Sequence, residues 1–319
     1  MPFEKARVKV TMKANCGIKF NFSLLHPRYW LTWFGLLFTM LVAQLPNNIR
    51  HFLGHWIGNQ IYKKNARRHH IVNVNLKIAF PELSAVEREA MIRKQLQWYG
   101  CALVDYSLLF FASKRRLSSM LEIEGQEHID EAIKNNQSVI ILLAHSVMLE
   151  FAPVALGLKY DCFGSYKTSK NAVMDWVIAR SRCRHVSFVV SRDEGMRKLI
   201  KSLIPKRLMI FLPDEDLGIE NAVFAPFFGK QKATLTTTAR LAKMGKAIAL
   251  PTFAWYDNDT QKYKTKILPP LKNYPSGDAV QDATRLNQSL ESLIKEHSEQ
   301  YMWIMKWYKT RPENEATLY

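Results

Sequence analysis

Tyr29 to Leu45 reads YWLTWFGLLFTMLVAQL, 17 residues without a charge, and the uncharged run continues to Ile49. As a helix the 17-mer spans about 25 Å, slightly short of a hydrocarbon core of about 30 Å. A secretory signal peptide would need a short basic leader and a small-residue cleavage site, but 28 residues precede the run and no A-x-A follows it. That leaves a buried core helix or a membrane anchor, spanning or half-inserted, and the flanks favour the anchor. Residues 1–28 carry Lys5, Arg7, Lys9, Lys13, Lys19 and Arg28 against Glu4, and residues 47–81 carry six basic residues and no acid. Basic flanks on both sides give no orientation by the positive-inside rule. They suit a segment that dips into an anionic leaflet and returns. Tyr29, Trp30 and Trp33 fit an interfacial aromatic belt.

No second long apolar run follows. The expectation is a basic segment and anchor over residues 1–50 and a single α/β domain over residues 51–319, docked on the membrane. Residues 86–112 show helical spacing, as two helices or one bent one. Gln137 to Ala144 (QSVIILLA) is a β-branched apolar run after Asn135-Asn136 and reads as a buried parallel strand. Ser187–Val190, Arg207–Leu212 and Lys246–Trp255 are further strands, with Pro251 placing the last at an edge or bulge. Helical stretches over 171–182, 193–204, 234–244 and 278–299 fall between them. This alternation predicts an α/β fold with a mostly parallel central sheet flanked by helices. Ligands of such sheets sit beyond the strand C-termini.

The 319 residues include 45 Lys and Arg against 28 Asp and Glu, a net charge of +17. Such an excess calls for an acidic partner: nucleic acid, an anionic membrane, or an acidic protein or phosphorylated substrate. The chain offers no nucleic-acid-binding motif, and its apolar N-terminal region argues against that partner. Cys16, Cys101, Cys162 and Cys183 lie far apart with no C-x-x-C pair, which excludes a zinc knuckle or a thioredoxin-like motif and reads as reduced thiols facing the cytosol.

The sharpest local feature is His145-Ser-Val-Met-Leu-Glu150, directly after the QSVIILLA strand. A histidine at a strand's C-terminal end, opening a helix, is where an α/β enzyme places a base. Five residues in a continuous helix turn about 500°, leaving the two side chains roughly 140° apart. They meet only if His145 precedes the first turn, with Ser146 as N-cap and Glu150 pointing back. Glu150 would then fix the imidazole tautomer, and the helix N-terminus would keep the ring neutral. Alone the spacing is weak: a capping histidine and an exposed glutamate also produce it. Further on, the acids Asp214-Glu215-Asp216 follow the RLMIFL strand, placed either to bind Mg²⁺ or, in so basic a chain, to orient basic residues. Phe224-Ala-Pro-Phe227-Phe228-Gly229 is an apolar turn, fit to wall an acyl-chain pocket or to be plain core.

His145-x4-Glu150, the stretch Tyr166-Lys167-Thr-Ser-Lys170-Asn171, Arg180 and Arg182, LPDED, VFAPFFG and the closing Tyr301-Met-Trp303…Lys309-Thr-Arg311-Pro312 occur in one order. That order resembles the late acyltransferases of lipid A biosynthesis, the lauroyl and myristoyl transferases of Gram-negative bacteria. The early HPRYWLTWFGLL followed by Leu45-Pro46 is similar to that family's N-terminus, so the resemblance covers nearly the whole chain. It implies transfer of a fatty acyl group from acyl carrier protein, less often acyl-CoA, without a metal or other cofactor. The implied acceptor is a hydroxyl on a hydroxyacyl chain of a phosphorylated lipid A precursor, at the cytoplasmic face of the inner membrane. His145 and Glu150 match the family's catalytic H-x4-E. Two departures stand out: Glu215 replaces the usual glutamine of P-D-Q-D, and Met305 and Trp307 fall in a tail that is commonly W-x-H-R-R-F-K.

The chemistry agrees from below. A thioester is already activated, so the protein must only deprotonate an alcohol as it attacks and stabilise the oxyanion formed. No Ser or Cys sits in a nucleophile elbow, which favours direct transfer over an acyl-enzyme. A backbone N–H near His145, or Arg182, is a candidate for the oxyanion. Lys167, Lys170, Asn171, Arg180 and Arg182 are candidate contacts to phosphates or to an acidic carrier protein, or else a solvated basic face. Asp214 and Asp216 are candidates for orienting them, and Phe227 and Phe228 for the acyl pocket. An acyltransferase acting on another acceptor, such as a lysophospholipid or glycolipid, would use the same His–Glu pair.

Overall fold

The computed structural model describes residues 20–166, 168–191 and 196–319. Two 3-10 turns, Phe22–Leu25 and Pro27–Tyr29, lead into α1 (Trp30–Gln44), so 15 residues of the uncharged run are helical. Pro46 separates α1 from α2 (Asn47–Lys64), and the boundary expected at residue 50 falls inside α2. α3 (Ala66–Ala79) follows, then α4 (Ala85–Phe111), a single helix of 27 residues. A capping box opens α4: the Glu87 N–H donates to Ser84 Oγ and the Ser84 N–H donates to Glu87 Oε2. Glycines let α2 lie close on α4, since a Cβ on Gly100 would come within 2.1 Å of the Gly54 carbonyl oxygen. A buried ion pair, Arg50 Nε to Asp105 Oδ1 at 2.8 Å, ties the same two helices.

The rest of the chain alternates. In order come α5 (Lys114–Met120), β1 (Leu121–Glu124), α6 (Gln126–Lys134), β2 (Ser138–Leu143), α7 (Phe151–Gly157), β3 (Cys162–Tyr166), α8 (Ala172–Arg182) and β4 (Phe188–Ser191). Then follow α9 (Met196–Ser202), β5 (Leu208–Phe211), β6 (Ala222–Phe227), β7 (Lys230–Leu235), α10 (Thr237–Gly245), β8 (Ala247–Asp257), β9 (Lys262–Ile267) and α11 (Ala279–Glu296). Seven strands form one sheet in the order β1-β9-β8-β2-β5-β3-β4. β8, β2, β5, β3 and β4 are parallel, and β9 and β1 run against them. β6 and β7 form a separate antiparallel hairpin. The fold is therefore α/β with a mostly parallel central sheet. Pro251 differs from expectation: it sits within the central part of the sheet, one residue before β9 joins β8 at Thr252, and so needs no edge strand.

β2 is buried at all six positions because both faces of the sheet are covered. One face carries Ile140, Leu142, Phe163, Met209 and Phe253 against α3, α4, α11 and the aromatic tail Tyr301, Trp303, Trp307 and Tyr308. The other carries Val139, Ile141, Leu143, Cys162, Leu208 and Ile210 under α6 and α7. Cys101 and Cys162 are free and buried, but Cys183 is disulfide-bonded, against the expectation of reduced thiols throughout. Cys16 lies outside the described residues.

The inner side of α1 packs on the start of α8: Leu36 and Trp33 meet Val173 and Trp176. Its outer side exposes Trp30, Leu31, Phe34, Phe38 and Leu41, and Phe52 and Trp56 extend this apolar surface onto α2. No helix among the described residues is long and apolar enough to cross a membrane.

Candidate active site

β2 ends at Leu143, and the chain turns through residues 144–150 before α7 begins. The helix therefore starts later than expected, with Glu150 rather than Ser146 at its N-cap. The turn is held from two sides. The Ala144 N–H donates to the Thr252 carbonyl at 3.0 Å, the Val147 N–H to the Gln300 carbonyl at 2.8 Å, and the Met302 N–H to the His145 carbonyl at 2.9 Å.

This geometry aims His145 at the neighbouring strand end. β5 lies beside β2, and the loop after it brings Asp214 to the turn. The His145 backbone N–H donates to Asp214 Oδ2 at 2.8 Å, and His145 Nδ1 lies 2.5 Å from Asp214 Oδ1. Tyr301 Oη donates to Asp214 Oδ2 at 2.9 Å. Burial alone would raise the pKa of Asp214, but the His145 imidazole beside it, by charge and hydrogen bonds, holds the carboxyl below its usual range. With Nδ1–H donating to a carboxylate, the lone pair of the neutral ring lies on Nε2. Trp307 lies 5.8 Å from the His145 ring and stacks on Tyr301 at 4.8 Å.

The carboxylate in contact with the His145 ring is thus Asp214, the contact the sequence suggested for Glu150. Glu150 meets Arg182 instead: Arg182 Nη2 donates to Oε1, and Arg182 Nε donates to Oε2 at 3.3 Å. A guanidinium offers a carboxylate two parallel donors, and Glu150, at the N-cap of α7, faces the end of α8 that supplies one.

An apolar cavity of about 200 Å³ adjoins this ion pair. Glu150 and Arg182 are part of its wall, with Leu143, Leu149, Gly164 and Ile210. Lys232, from β7, is fully buried near the acidic loop. Burial pushes its ammonium down to about 8, against the raising charges of Asp214, Asp216 and Glu215. Asp216 accepts hydrogen bonds from the Thr310 N–H and Oγ1, each at 2.7 Å, and so anchors the C-terminal Lys309-Thr-Arg311 segment.

The other expected site residues are spread out. Lys167 lies outside the described residues. Lys170 is exposed. Asn171 caps α8 by accepting from the Val173 and Met174 N–H groups, and its Nδ2 donates to Thr32 Oγ1 at 2.9 Å, joining α8 to α1. Arg180 is exposed and lies over the Trp176 ring at 5.5 Å. Phe227 and Phe228 are buried with Tyr301, Trp303 and Tyr308, on the opposite face of the sheet from the cavity. The β6–β7 hairpin folds over α11, where the Phe228 N–H donates to Glu291 at 2.8 Å, so these rings serve packing there. The sequence reading missed Tyr301, Trp307 and Lys232 as parts of the site.

The family model of bacterial lipid A biosynthesis acyltransferases matches residues 18–310. The lipid A biosynthesis lauroyltransferase and palmitoleoyltransferase of Escherichia coli (strain K12) are 33% and 34% identical over 302 residues, covering 94% of this chain and 98% of each of those proteins. The lipid A biosynthesis myristoyltransferase of the same strain is 29% identical over 306 residues, 94% of either chain. By these matches the chain is an O-acyltransferase. It belongs to the bacterial lipid A biosynthesis acyltransferase family, whose reaction is acyl transfer onto a lipid A precursor.

Proposed function

We propose that this chain moves a fatty acyl group from acyl carrier protein to a hydroxyl of a hydroxyacyl chain on a phosphorylated lipid A precursor. The observation that supports this most is the His145–Asp214 contact at a strand end, on a turn whose last residue, Glu150, lines an apolar cavity. His145 Nε2 takes the proton of the acceptor hydroxyl as its oxygen attacks the thioester carbonyl carbon. Asp214 stabilises the imidazolium that forms. The C–S bond then breaks, and the imidazolium returns its proton to the departing thiolate. Glu150 holds Arg182 at the cavity wall, where the guanidinium stabilises the oxyanion or a phosphate of the acceptor. Lys170 and Arg180, with Lys167, supply further positive charge for the phosphates and for the acidic carrier protein.

The reaction takes place at the cytoplasmic face of the inner membrane. Residues 1–50 are the basic segment and anchor, and residues 51–319 the catalytic domain. The exposed apolar side of α1 supports half-insertion: its other side is occupied by α8 and the helix has 15 residues. The test is mass spectrometry of the products formed by purified chain from acyl-carrier-protein thioester and lipid A precursor. We expect a mass gain of one acyl group, lost in His145→Ala with folding intact. Full activity in His145→Ala would remove the base from this mechanism, and acylation of a lysophospholipid in preference to the precursor would change the acceptor.

A further inference from the structure

We infer that Gly164 sets the length of the acyl chain, by leaving a gap in the face of the sheet that floors the cavity. The inference rests on the reading above, in which the cavity receives the hydrocarbon of the thioester donor.

Side chains alternate along β3. Phe163 belongs to the core on one face and Cys162 to the core on the other, so Gly164 shares the face of Cys162. The register then sets a row across the sheet. Gly164 pairs with Val189 on one side and Ile210 on the other, and Ile210 pairs with Ile141, which pairs with Leu250. Every member of that row carries a branched aliphatic side chain except Gly164. The cavity lies at the vacancy: Val189, Gly164 and Ile210 all line it. A Cβ built on Gly164 would meet the Ile210 carbonyl oxygen at 3.3 Å and Ile210 Cβ at 3.7 Å, so a first carbon needs only a small adjustment and a longer side chain extends into the cavity.

The lining of the cavity is uneven in the way a ruler requires. Glu150 and Arg182 mark the polar part, next to the turn that carries His145. Elsewhere the wall is mostly apolar. Ser165, Ser181 and Tyr106 also line it, but the Tyr106 and Ser181 hydroxyls donate to the Val147 and Leu109 carbonyls. The imidazole of His185 is kept neutral because burial pushes its pKa down to about 4. An unbranched hydrocarbon fits such a lining, with its length limited by the side chains that floor it.

The test offers the purified enzyme a ladder of acyl-carrier-protein donors differing by two carbons, in competition for one acceptor, with products read by mass. In Gly164→Val the preferred donor should be shorter by at least two carbons. The ratio of kcat/KM values between the native and the shorter donor should change by about 10-fold or more, since a mismatched methylene in an apolar pocket costs roughly 10–200-fold. Gly164→Ala should shift in the same direction by less. Val189→Ala, which only removes methyl groups, should shift the preference to longer donors, and it decides the matter alone if Gly164→Val does not fold. Unchanged donor preference in folded Gly164→Val and Val189→Ala overturns the inference. So does a change in tolerance for the acceptor's chain length with the donor preference fixed, which would assign the cavity to the acceptor. Wild-type enzyme that uses no donor on the ladder would instead defeat the proposed function.

Discussion

The two faces of the sheet treat the same strands in opposite ways. Under α11 and the C-terminal aromatics the packing is solid: Phe163, Phe227, Tyr301, Trp303 and Trp307 fill the space, and Asp214 is almost wholly buried. Under α7 and α8 the packing stops short, and a cavity of about 200 Å³ remains. One strand serves both, with Phe163 pointing into the filled side and Gly164 into the hollow one. The filled side can hold a charged dyad in one geometry because its neighbours cannot rearrange. The hollow side can admit a ligand because its strands supply the wall without supplying its contents. The site lies where these two conditions meet, at the ends of β2 and β5.

The strongest test of that division is Asp214→Asn. The amide keeps the shape but reverses the hydrogen bond to Nδ1, trapping the wrong tautomer. kcat should fall by roughly 10³–10⁴-fold with the circular dichroism spectrum unchanged. A fall of less than 10-fold would mean that the packed face does not orient the base. On the hollow side, Arg182→Lys keeps the charge and loses the forked contact to Glu150. A drop of about 10²-fold in kcat/KM is expected from steady-state kinetics. Tyr301→Phe removes one of the hydrogen bonds to Asp214 and leaves the ring stack intact, so a loss of about 10-fold in kcat should suffice.

The last effect concerns stability rather than rate. His185 is buried with neither ring nitrogen hydrogen-bonded, and burial pushes its pKa down from 6.5 to about 4. Between these values the unfolded chain binds a proton that the folded chain does not, so stability falls as pH drops from 6.5 through about 4. The contribution is at most about 3.5 kcal/mol, at roughly 1.4 kcal/mol per pH unit. His185→Leu should flatten that part of the profile in urea unfolding measured at several pH values. An unaltered slope would mean that the ring is hydrated.

Much of the fold was legible because its central strands are covered on both sides. SVIILL, LMIF and ALPTF are apolar runs that local pattern detects, and the helices between them appear at nearly the expected positions. CFGSY and KYKTKI escaped. The first has a glycine and a serine where a run would need bulk, and the second alternates lysines with its inward residues, as a strand at the side of a sheet does. In the site, His145 was visible from its place after β2. Its partner was not, because the order of strands in a sheet is set by long-range packing. Glu150 lies five residues away along the chain, but Asp214 lies next to it in space. The acidic loop read as one that binds Mg²⁺ or orients basic residues; in the structure Asp214 accepts from His145 and Asp216 accepts from Thr310. The aromatic tail gave no local sign of this contact, since Tyr301 meets Asp214 only after the loop that follows β5 is brought to it.

That tail has a bearing on when the enzyme becomes competent. The turn carrying His145 is pinned by the Gln300 carbonyl and the Met302 N–H, and Asp214 is braced by Tyr301. A ribosome delivers these partners only after β2, β5 and the acidic loop have emerged. The N-terminal helices and most of the sheet can condense beforehand, while the imidazole still lacks its bracing. A nascent chain would therefore hold the His145 turn and Asp214 in this arrangement only once Gln300 to Met302 had been made.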